Sequence, residues 1–381
     1  MLKDKTAIVG IGETPFARML EESEFQLACR AIKAALEDAG ISPSEVDALS
    51  CFTYEKTPEF EVARAVGMGE VHYFSQSPHG GGAGCGAIGH LAMAIATGVA
   101  KVGVVWRSRK RGARASRLWT SVEDVVTDHW KWTRPQGLLR PVDEVAILTR
   151  RYMHEYGLTR EQLAHVALSM RSFAANNPKA LMGARPLSLE QYLDARMISD
   201  PLCLFDNCLE SDGAIALVLV GSDRARDCAQ RPVYIHAFSQ GMRPQHQVMT
   251  DFHGEDPLRS SSWTCAANLW RQSDIKAADI DVAQLYDAFS SLVLFSLEAD
   301  GLCARGEAGQ FAADGNLRLG GRLPVNTSGG SLAEVYLHGM NLALEAVKQM
   351  RGNALTQVTG AQTCLVTSCD TTPNGAIVLR N

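Results

Sequence analysis

Apolar residues along this chain recur in two rhythms. Short dense runs, AIVGIG (7–12), VGVVW (102–106), AIALVLV (214–220) and GAIVLR (375–380), alternate with stretches whose apolar positions repeat every three to four residues. That alternation predicts strands and helices in turn, and so a layered α/β fold. A repeat adds detail. ALEDAGISPSEVDALSCF (35–52) and LWRQSDIKAADIDVAQLYDAF (269–289) share a helix, a loop carrying Ile41 or Ile275, and Asp47 or Asp281 before a strand, at a constant offset of 234 residues. A second echo follows, because helices ending at Gly98 and Gly352 precede strands at VGVVW and CLVTS. Two similar halves are implied, with a site expected where equivalent helix N-termini meet and offer free N–H groups.

Residues 107–200 have no counterpart in the second half. They read as an inserted loop domain with helices over 142–157 and 160–178. The expected organisation is a first half from 1–106 with 201–228, the insertion at 107–200, and a second half from 229–381.

Composition narrows the classes. A chain of 381 residues with 46% hydrophobic and 21% charged content can bury a large core. Its formal net charge of -5 argues against nucleic-acid binding by a basic surface. No apolar run approaches the roughly 20 residues that span a bilayer, and the charged N-terminus lacks a signal peptide's apolar core. A cytoplasmic protein with no membrane contact is expected. The ten cysteines are then reduced thiols, and the pairs Cys203/Cys208 and Cys364/Cys369 lack the second pair or histidine cluster that a metal site needs.

Several motifs carry candidate chemistry. GIGETPF (10–16) lacks a third glycine and has Pro15 where a phosphate-binding helix would begin, so it reads as a turn after the first strand. HGGGAGCGAIGHLAMAIATG (79–98) is a glycine-rich entry into a helix. Free N–H groups at Gly81, Gly82 and Ala83 would form an oxyanion hole, or else the glycines only permit close approach of helices. Cys85 in the same turn is either a nucleophile or an inert buried thiol. RSRKRGARASR (107–117) places six basic residues in eleven: a solvated loop, or an attraction for coenzyme A phosphates or an acidic partner. LYDAFSS (285–291) and LPVNTSGGSLAEVYLHGMN (323–341) bring Tyr286, Tyr336 and His338 to strand ends and glycine-rich turns, where α/β enzymes place chemistry.

Taken together, AIVGIGETPF, AIKAALEDAGISPSEVD (31–47), YMHEYG, AANNPKA (174–180), SDGAIALVLV (211–220), YDAF and PVNTSGG through YLHGMN resemble the thiolase superfamily, in its sterol-carrier and lipid-transfer-protein branch. The resemblance covers essentially the whole chain. It implies a thiolase fold, two similar βαβαβαββ halves in αβαβα layers with an inserted loop domain. It also exposes departures. Ten residues past Asn326, where the family keeps a histidine, stands Tyr336; where its other motif has Asn or His stands Tyr286; and the nucleophilic cysteine's place falls near Gly82, one turn before Cys85. The second family cysteine is kept as Cys369, six residues before Gly375.

Paired tyrosines in these motifs resemble the thiolase-like aldolases of bacterial steroid side-chain degradation. That likeness implies retro-aldol cleavage of a β-hydroxyacyl-CoA to a ketone and a short acyl-CoA such as propionyl-CoA. Tyr286 and Tyr336 would be catalytic, and Gly81, Gly82 and His338 would bind substrate. Coenzyme A would enter as part of the substrate, with no permanently bound cofactor. The same likeness implies a homodimer and a separate accessory subunit with an OB-fold and a zinc ribbon, forming a heterotetramer. Region 107–140, rich in Arg and Trp, would border the acyl tail. An acyltransferase using Cys85 or Cys369, and a non-catalytic acyl-CoA or lipid binder, are the alternatives.

Overall fold

The apolar runs become strands buried on both faces. Along 213–221, Ile215, Leu217 and Leu219 join one core while Ala214, Ala216, Val218 and Val220 join the other. Period two fits a strand sandwiched between helical layers. The computed structural model describes residues 2–111, 130–244, 249, 252, 254–371 and 373–381.

The first half runs β1 (Thr6–Glu13), α1 (Glu24–Ala39), β2 (Ala48–Phe52), α2 (Glu59–Val66), β3 (Tyr73–Ser77), α3 (Ala83–Ala96) and β4 (Val102–Arg109). The insertion supplies α4 (Trp130–Thr133), α5 (Pro141–Tyr156), α6 (Arg160–Ala174), α7 (Leu189–Leu193) and the hairpin β5 (Met197–Ser199) with β6 (Leu202–Cys203). After β7 (Gly213–Gly221), the second half gives β8 (Val233–Gly241), α8 (Ser261–Gln272), β9 (Val282–Gln284), α9 (Ser290–Ala299), α10 (Ala308–Ala313), α11 (Gly330–Ala333), α12 (Met340–Arg351), β10 (Thr363–Thr367) and β11 (Asn374–Arg380).

Among the described residues nine strands form one sheet in the order β3-β2-β4-β7-β1-β8-β11-β10-β9. The halves join where β1 pairs with β8, Ala7 opposite Tyr234. Reading outward from that seam, each half repeats the same antiparallel, antiparallel, parallel sequence of neighbours. The outermost strand of the second half is reduced to a single parallel bridge, Ala283 with Val325. α3 and α12 lie in the middle layer and touch strands of both halves, whereas α1 covers β1, β4 and β7 and α8 covers β8 and β11.

The 234-residue repeat is visible as a repeated hydrogen-bond device. The Asp47 carboxylate accepts from the N–H groups of Lys101 (3.0 Å) and Val102 (2.9 Å), and that of Asp281 accepts from Gln362 (2.8 Å) and Thr363 (3.0 Å). Each aspartate thereby ties the entry of one strand to the start of its parallel neighbour. No helix among the described residues is long and apolar enough to cross a membrane.

Two expectations change. GIGE is not a turn but the end of β1, and its glycines admit α1: a Cβ on Gly10 would lie 2.2 Å from the Ala35 carbonyl oxygen, and one on Gly12 2.1 Å from that of Ala31. The second change is at the expected boundary after residue 106, because β4 continues to Arg109. Within the basic stretch, Arg107 and Arg109 are therefore buried strand residues and not part of a solvated loop; residues 112–117 of it, and 112–129 of the Arg- and Trp-rich region, lie outside the described residues.

Gly12→Ala should lower stability by about 2 kcal/mol or more, since the added methyl meets backbone and cannot be relieved by a rotamer change. Urea denaturation with an unchanged m-value measures it.

Candidate active site

Two segments far apart in sequence are clamped together by Asn326. Its side-chain oxygen accepts from the N–H of Leu285 and its amide nitrogen donates to the carbonyl of the same residue, both at 2.8 Å. Asn326 adopts φ 54, a left-handed conformation that asparagine tolerates well. The next turn is fixed by the buried Asp287, whose carboxylate accepts from the N–H groups of Ser331 (2.9 Å) and Leu332 (3.2 Å) at the start of α11. Burial still pushes the Asp287 carboxyl up, to about 6. Gly330 has φ 59, and a Cβ there would sit 2.2 Å from the Asp287 oxygen. Glycine at that position is a requirement of the clamp.

This scaffold brings Tyr286 and Tyr336 together. Their hydroxyl oxygens are 2.7 Å apart, within hydrogen-bond range, and the rings meet edge to face. Tyr286 lies against the glycine-rich turn before α3: a Cβ on Gly81 would fall 2.3 Å from its hydroxyl oxygen and 3.0 Å from the Cβ of Cys369. Gly81 is thus where the turn yields space to the tyrosine. Burial raises the Tyr286 phenol well above its ordinary range, with the neighbouring Tyr336 adding to the effect. Tyr336 is raised as well, first by burial and then by Cys208, against a lowering influence from Arg109. At neutral pH both are phenols.

The middle-layer helices α3 and α12 both begin here, as the repeat led us to expect. His338, at φ 53 just before α12, places its carbonyl oxygen 3.4 Å from where a Gly84 side chain would start. Its ring stacks over Phe52 and stands edge-on to Tyr336, centroids 6.3 and 5.1 Å apart. Arg107 and Arg109 both reach the ring: Arg107 Nη2 is 3.2 Å from Nδ1, and Arg109 Nη1 is 2.7 Å from Nε2. Burial and the adjacent arginine charges hold the imidazole far below its usual pKa, hence neutral. Arg107 is compensated by Glu55 at 3.1 Å, both side chains fully buried.

The remaining sequence candidates fare differently. The N–H of Gly82, expected to face a thioester oxygen, instead donates to the His79 carbonyl (2.6 Å), and that of Ala83 turns to Gly80. The 3-10 turn over Gly80–Gly82 closes on its own carbonyls, so these two donors are already engaged. Gly81 presents its carbonyl to the Cys369 N–H at 3.1 Å. Cys85 points into the core: its thiol contacts the Val366 carbonyl at 3.5 Å and burial pushes it up to about 12, far from an activated thiolate. Cys369 lies beside the tyrosine pair, with its sulfur 3.4 Å from the Thr371 hydroxyl.

Three neighbours were missed by sequence reasoning. Arg107, Arg109 and Cys208 act on the tyrosines or on His338, yet they come from segments 78 to 231 residues away. The family motif AANNPKA acquires a role too. Asn177 donates to the Ser328 carbonyl (3.0 Å) and to Glu334 (2.8 Å), while the N–H groups of Leu181 and Met182 donate to the carbonyls of Glu334 and Ala333. The insertion thereby grips the turn that carries Tyr336.

With this geometry in hand, comparison with known proteins is decisive for the family. The models for "Thiolase, N-terminal domain" and "Thiolase C-terminal domain-like" match residues 6–184 and 243–379. The chain belongs to the thiolase family. It is 42% identical to the 17-hydroxy-3-oxo-4-pregnene-20-carboxyl-CoA lyase of Mycobacterium tuberculosis, with 100% of each chain covered. Similarity to the steroid side-chain-cleaving aldolase of Thermomonospora curvata is 43% identity, over 100% of this chain and 98% of that one. Among solved structures, one described as the Ltp2-ChsH2(DUF35) aldolase superposes with a TM-score of 0.94 at 43% identity, covering 100% of this chain and 98% of that chain.

Glu334 offers a test of how the turn is held. Burial raises its carboxyl from 4.5 to about 8, although Ser328 and Asn177 donate to it. A folded pKa above the unfolded one stabilises the fold fully below about 4.5, and that contribution is lost as pH rises toward 8. Glu334→Gln should therefore flatten the decline of stability between about pH 4.5 and 8 relative to the parent protein, as read by thermal unfolding across that window.

Proposed function

We propose that this chain is a thiolase-fold aldolase that cleaves a β-hydroxyacyl-CoA by a retro-aldol reaction, giving a ketone and a short acyl-CoA such as propionyl-CoA. The observation that carries this reading is the 2.7 Å contact between the Tyr286 and Tyr336 hydroxyls, two residues whose motif positions correspond to an Asn or His and to a histidine in thiolases. A steroid side-chain thioester is the substrate class, supported by relatives named for a pregnene 20-carboxyl-CoA and for steroid side-chain cleavage.

The chemistry follows from two neutral phenols in contact. The substrate's β-hydroxyl gives its proton to one tyrosine oxygen, that tyrosine passes its own proton to the second, and the second protonates Cα as the Cα–Cβ bond breaks. The O–H electron pair becomes the ketone π bond, and the Cα–Cβ pair becomes the new Cα–H bond. Both tyrosines end as phenols. Such a relay needs no free phenolate, which suits groups whose surroundings hold the proton firmly. Coenzyme A takes part as the thioester portion of the substrate.

The partner belongs to the same proposal. A separate subunit with an OB-fold and a zinc ribbon would complete the assembly around a homodimer, and the paired name of the Ltp2-ChsH2(DUF35) structure supports a two-component enzyme. Co-expression with such a subunit, followed by an assay for ketone and short acyl-CoA, is the direct test; ligand binding without product from the assembled complex would overturn the aldolase reading.

Tyr286→Phe and Tyr336→Phe should each lower kcat by about a hundredfold or more while circular dichroism and unfolding stay near those of the parent. Near-normal turnover in both would refute the role of the pair. Because burial holds both phenols above the ordinary tyrosine range, neither ionises near neutral pH, so kcat/KM should stay level from about pH 7 to 9. A steady tenfold rise per pH unit across that range would instead mean that a phenolate is the active form.

A further inference from the structure

Arg109 is a buried cation, 1% exposed, with no ion pair among the described residues. Its Nε and Nη2 have no hydrogen-bond partner, and its Nη1 is directed at the His338 ring. A neutral imidazole has one acceptor nitrogen, so it cannot satisfy both arginines that approach it. Neighbouring positive charges on Arg107 and Arg111 make the position less favourable still, and Glu24 and the Tyr336 hydroxyl act in the opposite sense. A guanidinium stays charged even so. Retaining one here costs several kcal/mol in general terms, a cost that a negative charge developing nearby would offset.

Tyr336 is a group on which the Arg109 charge acts and which can develop a negative charge. Its ring lies 5.1 Å from the His338 ring that carries the Arg109 head group. Tyr286 faces elsewhere, toward Gly81, Gly339 and Cys369. The groups around the pair are Arg109 from β4, Cys208 from the segment before β7, Cys369 after β10, and the two tyrosines themselves. Arg109 is the cation among them.

We propose that Arg109, held by His338, sets the direction of proton flow through the tyrosine pair, making Tyr336 the end that accepts the substrate's hydroxyl proton and Tyr286 the end that protonates Cα. This rests on the aldolase reading for the substrate, but the asymmetry is a property of the free protein. As a proton moves from Tyr336 toward Tyr286 and on to Cα, negative charge builds on the Tyr336 oxygen until the substrate hydroxyl refills it. That charge lies beside a preorganised cation. Flow in the reverse sense would place it on Tyr286, where none of the groups weighing most on the phenol is a cation. Arg109 is a positioning residue, acting through Tyr336.

The test replaces Tyr286 or Tyr336, one at a time, with a fluorotyrosine and follows its titration by fluorine NMR in the full-length protein. The label at 336 should titrate at lower pH than the label at 286. Arg109→Gln should raise the value at 336 by about one pH unit or more and move that at 286 by less. Arg109→Lys, which keeps the charge, should preserve the order. Equal values, the reverse order, or a shift at 286 as large as at 336 would overturn the proposal. If Arg109→Gln does not fold, the order in the parent and in Arg109→Lys decides it. No turnover is read, so the result stands apart from whether the chain cleaves a thioester.

Discussion

Everything at the site depends on one close approach. The hydroxyl of Tyr286 occupies the space that a side chain at Gly81 would fill, and from there it reaches the hydroxyl of Tyr336 at 2.7 Å. The first tyrosine is set by the end of β9 and the second by the turn before α12, fifty residues later. Asn326 fixes the two segments to each other, Asp287 fixes the turn, and the insertion fixes it again through Asn177 and Glu334. A pair of phenols whose contact tolerates errors of a few tenths of an ångström is thus held by three independent clamps, in keeping with catalytic groups placed at the ends of rigid strands and helices.

The electrostatics of the surroundings are those of a dry site. Tyr286, Tyr336, Asp287, Glu334 and Cys85 all have their pKa raised, each chiefly by burial. Burial disfavours charge, so the two phenols and the Cys85 thiol are kept protonated at neutral pH. Such an environment does not produce a thiolate nucleophile at Cys85 or a resting phenolate. It does suit proton transfer between neutral groups, and it magnifies the effect of a single nearby cation.

Much of this was legible in the sequence, for physical reasons that differ by residue. Asp47 and Asp281 announced the duplication because a strand-entry aspartate does the same work in both halves. Tyr286 and Tyr336 were legible because they replace family residues at fixed spacing within intact motifs. The burial of Arg107 and Arg109 was not, since a basic run reads as solvated unless the chain supplies Glu55 and His338 from other strands and turns. Nor could the sequence reveal that the N–H of Gly82 is spent within its own 3-10 turn, or that Gly10 and Gly12 make room for α1. Those facts depend on how far elements approach, and a single strand's pattern does not encode that distance.

The most direct measurement is the intact mass of the protein during turnover of a β-hydroxyacyl-CoA, taken alongside product release by the assembled complex. A relay through two phenols predicts ketone and short acyl-CoA in equal amounts while the chain keeps its unmodified mass. An acyl group trapped on Cys85 or Cys369 in step with turnover would contradict it and return the site to covalent acyl transfer.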